Sequence, residues 1–366
     1  MKLIVLTTII ALFFCLTLFA TRRRKAHFSY SGEDENSYNK FVLIAFALTL
    51  IIVEGFRFGY QDTFNYKGIY ADLSDRLTDS LNIDIEPGYV YLMWLLRKIN
   101  KHPQFIILVS SVFIVFADFR FLSKYSYNLA FSLYLYFVSS FISNMNGIRQ
   151  LIAASIISFA FPFAVEKKTI RYILVVLLSS TIHKSAIIMI PLYFVFSGRR
   201  WNTLLGGLVG FCAFSAVFPG LINSLIGRFF ADSYTGYLNN YVGANIINVF
   251  IAAVPFSLGL YYHFKNKGDI GKNRPMDVLI NMQAISFAFM VLATTMAQYA
   301  RIGMYMRHAT VISLPFVIDK VFEGANRQVI KILAVLLYFA LFATEIILSN
   351  SRGYFRFLYL DFSIFG

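Results

Sequence analysis

Apolar residues run through this chain in blocks rather than in alternation. Blocks begin near residues 3, 41, 104, 128, 148, 170, 186, 203, 245, 276, 302 and 330, and charged residues gather in the gaps between them. A membrane β-barrel shows short segments of alternating polarity, whereas continuous blocks form helices whose backbone bonds are satisfied internally. The pattern predicts an all-α, polytopic integral membrane protein with about twelve membrane helices, in a single domain over residues 1–366.

Composition agrees with that class. The chain has 366 residues, is 58% hydrophobic and only 14% charged, more apolar surface than a soluble fold of this length covers. Cys15 and Cys212 both lie inside apolar blocks and read as small core residues, without a disulfide or metal framework. The formal charge of +14 raises nucleic acid as a partner, but its distribution points elsewhere. More than half of the 33 Lys and Arg residues fall in alternate short connections: Arg22–Lys25 with Lys40, Arg120 with Lys124, Lys167 to Arg171, Arg199-Arg200, Lys265 to Arg274, and Lys320 to Lys331. By the positive-inside rule this set is cytoplasmic and both termini are outside, so no nucleic acid is implied. Met1–Ala20 resembles a secretion signal, yet Arg22–Lys25 stands where a small-residue cleavage site belongs, so a retained first span is expected.

The other connections form the outer set. Residues 54–103 make an outer-face loop that is rich in acids up to Glu86 and then continues as GYVYLMWLLRKINK, an apolar-then-basic stretch expected to be an interfacial or re-entrant helix. Were it to span, every later loop would change sides and the charge bias would reverse. Residues 220–244 make a second outer-face loop, containing ADSYTGYLNNYVG, whose aromatics and amides suit sugars and equally suit a membrane-interface belt.

Ionisable residues at or within spans are costly in lipid and are therefore candidates for function. In EGFRFGYQDTFNY (54–66), Arg57 can hold an anion and Asp62 can orient it or act as base, or the two can form a salt-bridged turn around Gly59; Tyr66 lies alongside. In EPGY (86–89), Pro87 opens a helix whose N-terminus Glu86 can cap, while Glu86 and Tyr89 also belong to the candidate substrate set. In MNGIRQ (145–150), Asn146-Gly147 turn the chain, and Arg149 and Gln150 sit at a helix start, where free N–H groups and a guanidinium suit a phosphate; an arginine snorkelling to headgroups is the alternative. In QYARIGMYMRHA (298–309), Arg301 lies at the outer end of a span, with Arg307 and His308 deeper.

The remaining candidate is STIHKSAIIMIP (180–191). The apolar run it interrupts lies between Arg171 and Arg199-Arg200, and reading it as one span puts those clusters on opposite sides. As a hairpin, both stay inside and His183-Lys184 forms the outward tip. Each arm then covers only about 17 Å against a core of roughly 30 Å, so the tip lies in a recess. A histidine there can exchange a proton near neutral pH, or it can be a buried histidine bonded to a carbonyl. No HExxH, paired Cys/His or Asp-x-Asp arrangement is present, so no metal or other cofactor is expected.

The pieces FRFGYQDTFNY, EPGYVYLMWLL, NGIRQ, STIHKSAIIMIPLYF and ARIGMYM…LP, in this order from about Glu54 to Pro315, resemble the EpsG family of Wzy-type bacterial polysaccharide polymerases. The resemblance implies a fold related to the C-type glycosyltransferases. It also implies an activity at the outer face of the cytoplasmic membrane, which polymerises oligosaccharide repeat units carried on undecaprenyl diphosphate for capsule, exopolysaccharide or O-antigen. The growing glycan passes from its lipid diphosphate onto the newest unit, with a flippase and a chain-length regulator as partners. Catalysis is then expected of His183, Asp62 and Arg149, and diphosphate or substrate contacts of Arg57, Arg149, Gln150, Arg301, Arg307, Glu86, Tyr89, Asn146 and Tyr66. Lys184 departs from the small or hydroxyl residue common after this histidine. A polysaccharide ligase, a lipid-linked sugar flippase or exporter, and a sugar O-acyltransferase are the competing readings. A flippase would carry polar residues along a path through the bilayer, and usually an internal repeat, neither of which is visible here.

Overall fold

A computed structural model describes residues 2–21, 23–28, 34–220 and 243–365. Helices α1 (Lys2–Ala20), α2 (Lys40–Gly55), α3 (Thr63–Asp72), α4 (Leu77–Ser80), α5 (Pro87–Ile99), α6 (Gln104–Tyr125) and α7 (Leu129–Ser140) make the first half. The second contains α8 (Ile148–Val165), α9 (Thr169–Ser180), α10 (Met189–Phe196), α11 (Thr203–Val217), α12 (Ile246–Lys265), α13 (Arg274–Leu292), α14 (Arg307–Val321) and α15 (Gly324–Ser351). Between α1 and α2, Arg23–Phe28 pairs antiparallel with Asp34–Ser37, a small ribbon where the sequence predicts only a basic connection. Most of the 220–244 loop lies outside the described residues.

Among the described residues, six helices are long and apolar enough to cross a membrane: α1, α6, α8, α12, α13 and α15. The remaining apolar helices, including α7, α9 and α11, are shorter. The solvent of this fold is legible in its surface. Helices α1, α12 and α15 expose Phe13, Leu16, Phe250, Leu336 and Ile347, whereas α7, α8, α13 and α14 are largely enclosed. An exposed apolar belt of this extent is a lipid-facing surface, and the chain is a membrane protein. Asparagine opens α2, α7, α11, α12 and α13, each side-chain oxygen accepting an otherwise orphaned N–H of the first turn.

Two groups of connections collect at two ends. At one end, the Arg274 guanidinium donates to the carbonyls of Val165, Ser197 and Gly198, and Arg200 donates to that of Asn266. Lys265 donates to Val321 there as well. These cations satisfy carbonyls at helix C-termini, so they tie the bundle together in addition to carrying charge. Arg200 also pairs with Asp277 at 3.3 Å, with both side chains at most 3% exposed.

At the other end lie the close of α2, helices α3 to α5, the starts of α6 and α8, and the C-terminal tail. That tail folds back on residues 56–59: Phe58 N–H donates to Tyr359, Gly59 N–H to Phe357, and Asp361 N–H to Phe56. Phe58 stacks on Tyr359 at 4.6 Å and Lys67 pairs with Asp361 at 3.4 Å. Gly59 leaves room for Phe64 of α3, since a Cβ there would lie 2.2 Å from the Phe64 ring, which Phe357 of the tail meets edge-on.

The expected hairpin is present. Helix α9 leads to a turn at His183, then a 3-10 helix over Lys184–Ile188 and α10 returns beside it. Tyr172 stacks on Tyr193 at 4.8 Å, and Thr169 Oγ1 lies 2.8 Å from the Tyr193 hydroxyl. Helix α5 is 13 residues long, about 20 Å, against a hydrocarbon core of roughly 30 Å.

Arg200→Met removes one partner of a buried pair and leaves Asp277 uncompensated, so it should destabilise by about 3–5 kcal/mol. Thermal unfolding in detergent should show this loss, and adding Asp277→Leu should recover most of it.

Candidate functional site

The turn before α5 places one carboxylate at a junction of three segments. Pro87 takes a first-turn position of the helix, where its missing N–H loses no bond. Gly88 follows because α5 starts against the hairpin tip: its N–H donates to the Thr181 carbonyl at 2.9 Å, and a Cβ would lie 2.7 Å from that same oxygen. Glu86 is thereby held over residues 183 and 184. One oxygen, Oε1, meets His183 Nδ1 at 3.1 Å and the Lys184 N–H at 3.0 Å, while Oε2 pairs with Arg149 Nη1. The Glu86 side chain is 7% exposed, against 24% for His183 and 28% for Arg149, so the carboxylate lies beneath two partly open groups.

This corrects the capping role expected of Glu86. Its side chain makes no cap bond, because donors from two other elements draw the carboxylate away from α5. The same contacts account for His183, which meets a carboxylate rather than a carbonyl. With Nδ1–H donated to Glu86, the lone pair of Nε2 lies on the opposite edge of the ring. Lys184 contributes its main-chain N–H, and its side chain is exposed.

Burial pulls the His183 pKa below its ordinary value, opposed by Glu86 and assisted by Arg149 and Arg301. Burial works to raise that of Glu86, but the Lys184 N–H, Arg149 and His183 outweigh it and hold the carboxyl below its usual range.

Arg149 reaches this junction from the first turn of α8. Gly147, just before that helix, has φ of 71°, the left-handed region that glycine enters without penalty. Its N–H donates to Asp62 Oδ2 at 2.8 Å, so Asp62 fixes the loop from which Arg149 projects. The other Asp62 oxygen is buried without a partner, and burial raises this carboxyl's pKa against the opposing pull of Gly147 N–H and Arg57. Arg149 Nε donates to the Tyr66 hydroxyl at 3.4 Å, and the Tyr66 ring meets Tyr89 edge-on at 5.9 Å.

Several expected substrate contacts turn out to be supports. Arg57 is 1% exposed; it donates to Thr63 Oγ1 at 3.0 Å, to the Met145 carbonyl at 3.2 Å and to the Glu54 carbonyl. It ties α2 to the loop before α8 and makes no contact with the Glu86 carboxylate. Tyr89 is fully buried, and Tyr66 nearly so, as walls beneath Arg149. Gln150 is also buried, donating to the Arg301 carbonyl at 2.8 Å, which brings the exposed Arg301 to this end. Asn146 is half-buried in the turn.

Arg307 belongs to a separate network. It pairs with Asp118 and donates to Ser155 Oγ at 3.1 Å. His308 Nε2 and the Tyr136 hydroxyl also meet Asp118, at 2.8 and 2.6 Å, and Asn144 donates to Tyr136 at 2.9 Å. Asp118 escaped the sequence reading although it stands inside the long apolar block of α6, the same signal that exposed His183.

A profile of the EpsG family matches residues 40–360. No curated protein and no solved structure matches the chain significantly.

Gly88→Ala should separate α5 from the hairpin tip, destabilising by about 1–3 kcal/mol. Gly68→Ala is the control, since nothing lies within 4 Å of a Cβ there. Thermal unfolding of both variants should show a loss for the first and none for the second.

Proposed function

We propose, from the premise that the chain belongs to the EpsG family, whose members are Wzy-like polysaccharide polymerases, that it polymerises oligosaccharide repeat units carried on undecaprenyl diphosphate. The single observation that carries this reading to a mechanism is the Glu86 carboxylate in contact with both His183 and Arg149. Transfer breaks the bond between the donor's anomeric carbon and its diphosphate oxygen and forms a glycosidic bond to the acceptor hydroxyl. The hydroxyl proton goes to His183 Nε2, and the diphosphate leaves with its charge beside Arg149 and the exposed Arg301. Glu86 holds the tautomer and orientation of His183 and stabilises the imidazolium once the proton arrives. Asp62, through Gly147, positions the start of α8.

The reaction takes place at the outer face of a bacterial cytoplasmic membrane, in a fold of about twelve membrane helices that include the re-entrant hairpin. The basic residues collected at the opposite end support that orientation. Holding two lipid-linked substrates at one membrane surface replaces a bimolecular encounter by proximity.

Arg149→Ala should abolish polymer and accumulate single lipid-linked units at normal protein level. Wild-type chain length in that variant would remove Arg149 from the mechanism. With purified protein and a synthetic undecaprenyl-diphosphate repeat unit, a polymer ladder is expected; a single capped acceptor would mark a ligase, and translocation without bond formation a transporter.

The pH profile tests His183. A base must be neutral, and a pKa lowered from the ordinary 6.5 keeps it neutral to lower pH. The acid limb of the rate should therefore lie below that value. Glu86→Gln removes the charge that opposes the lowering, so its limb should move lower still, with a slower plateau. His183→Gln should cost about 10²–10⁴ in rate.

A further inference from the structure

A chamber of about 760 Å³ opens beside this site, lined from α7, α12, α13, α15 and the stretch Ala297–Met306. It is within the size range of small-molecule pockets, roughly 300–1,000 Å³. Chain connectivity ties it to the site described above. Gln61 lines it next to Asp62, Leu151 two residues after Arg149 on α8, and Ala300 next to Arg301.

Its chemistry differs from that of the Glu86 junction. The charged lining residues are Arg307, Arg352 and Glu345, and Arg307 is paired with Asp118, so the formal charges nearly cancel. Most of the other polar lining is amide and hydroxyl, from residues such as Asn144, Asn248, Gln283 and Ser286, with Tyr338 and Tyr354 beside them. Three lining side chains carry buried polar atoms with no partner: Gln283 Nε2, Ser286 Oγ, and Nε and Nη1 of Arg307. A polyprenyl tail in the chamber would leave these groups without a hydrogen bond, which is costly. A diphosphate would find no net cation. An uncharged polyol suits the lining on both counts: its hydroxyls match amides and hydroxyls, and its C–H faces pack on tyrosines.

We infer that this chamber holds uncharged sugar rings of the glycan, while the diphosphate end lies at Arg149. The inference rests on the polymerase reading for the identity of the glycan, and its test is an equilibrium measurement that needs no turnover. The probe is the repeat-unit oligosaccharide released from the host's lipid-linked pool by mild acid, which leaves the diphosphate behind. Full-length protein in detergent should bind it, as followed by saturation-transfer NMR. Ser286→Trp, which fills the chamber, and Asn248→Leu, a milder change at its rim, should each weaken binding about tenfold or more. Gly68→Ala, outside the chamber and with nothing within 4 Å of the added Cβ, should bind as wild type.

In turnover, the same two chamber variants should slow transfer and shorten the polymer. Absence of glycan binding to the wild type, or binding kept in both chamber variants, would overturn the assignment. Displacement of the glycan by sugar-free undecaprenyl phosphate from the wild type, with equal loss of lipid binding in Ser286→Trp, would reassign the chamber to the lipid. If the wild type makes no ladder yet binds the glycan as described, the polymerase reading fails and the chamber assignment stands.

Discussion

A buried carboxylate must be met by donors, and at Glu86 that requirement joins three distant segments. Its two oxygens are shared among Arg149 from α8, His183 from the hairpin tip and the main-chain N–H of Lys184. Losing any of these would leave charge in a poorly hydrated place, where it is expensive. Much of the surrounding structure serves to keep the donors there. Gly88 lets α5 approach the tip, Gly147 turns the chain into α8 with Asp62 holding it, and Arg57 fastens that loop to α2. The C-terminal tail then packs over residues 56–59.

Lipid imposes the second constraint. Outward faces of α1, α12 and α15 are apolar, and charged groups inside the bundle are drawn into pairs and networks. The Arg200–Asp277 pair and the Asp118 network are two such solutions. At the end holding Arg200 and Arg274, these cations satisfy carbonyls at the ends of helices.

Residues were legible where their type conflicted with their surroundings. A histidine interrupting an apolar run and an arginine beside Asn146-Gly147 stand out in one dimension, and both reach the Glu86 junction. Arg57 carried the same signal with a different outcome, because a guanidinium can satisfy carbonyls as readily as an anion and the sequence does not say which it meets. Asp118 carried the signal too, but its partners Arg307, His308 and Tyr136 lie on two other helices. The seating of the tail has no local mark, since Phe357 and Tyr359 look like any aromatics near a membrane.

The sequence by itself determined the helical membrane class, the short hairpin at His183 and the short helix at Pro87–Ile99. These follow from block length, charge spacing and the thickness of the hydrocarbon core, all one-dimensional quantities. Tertiary structure alone decided which polar groups meet. It turned Glu86 from a helix cap into the centre of the junction, withdrew Arg57 and Tyr89 into supports, and separated Arg307 from Arg149. The physical reason is that a carboxylate or guanidinium bonds whichever donor or acceptor the packed helices bring within about 3 Å, and that neighbour is set by the fold rather than by spacing along the chain.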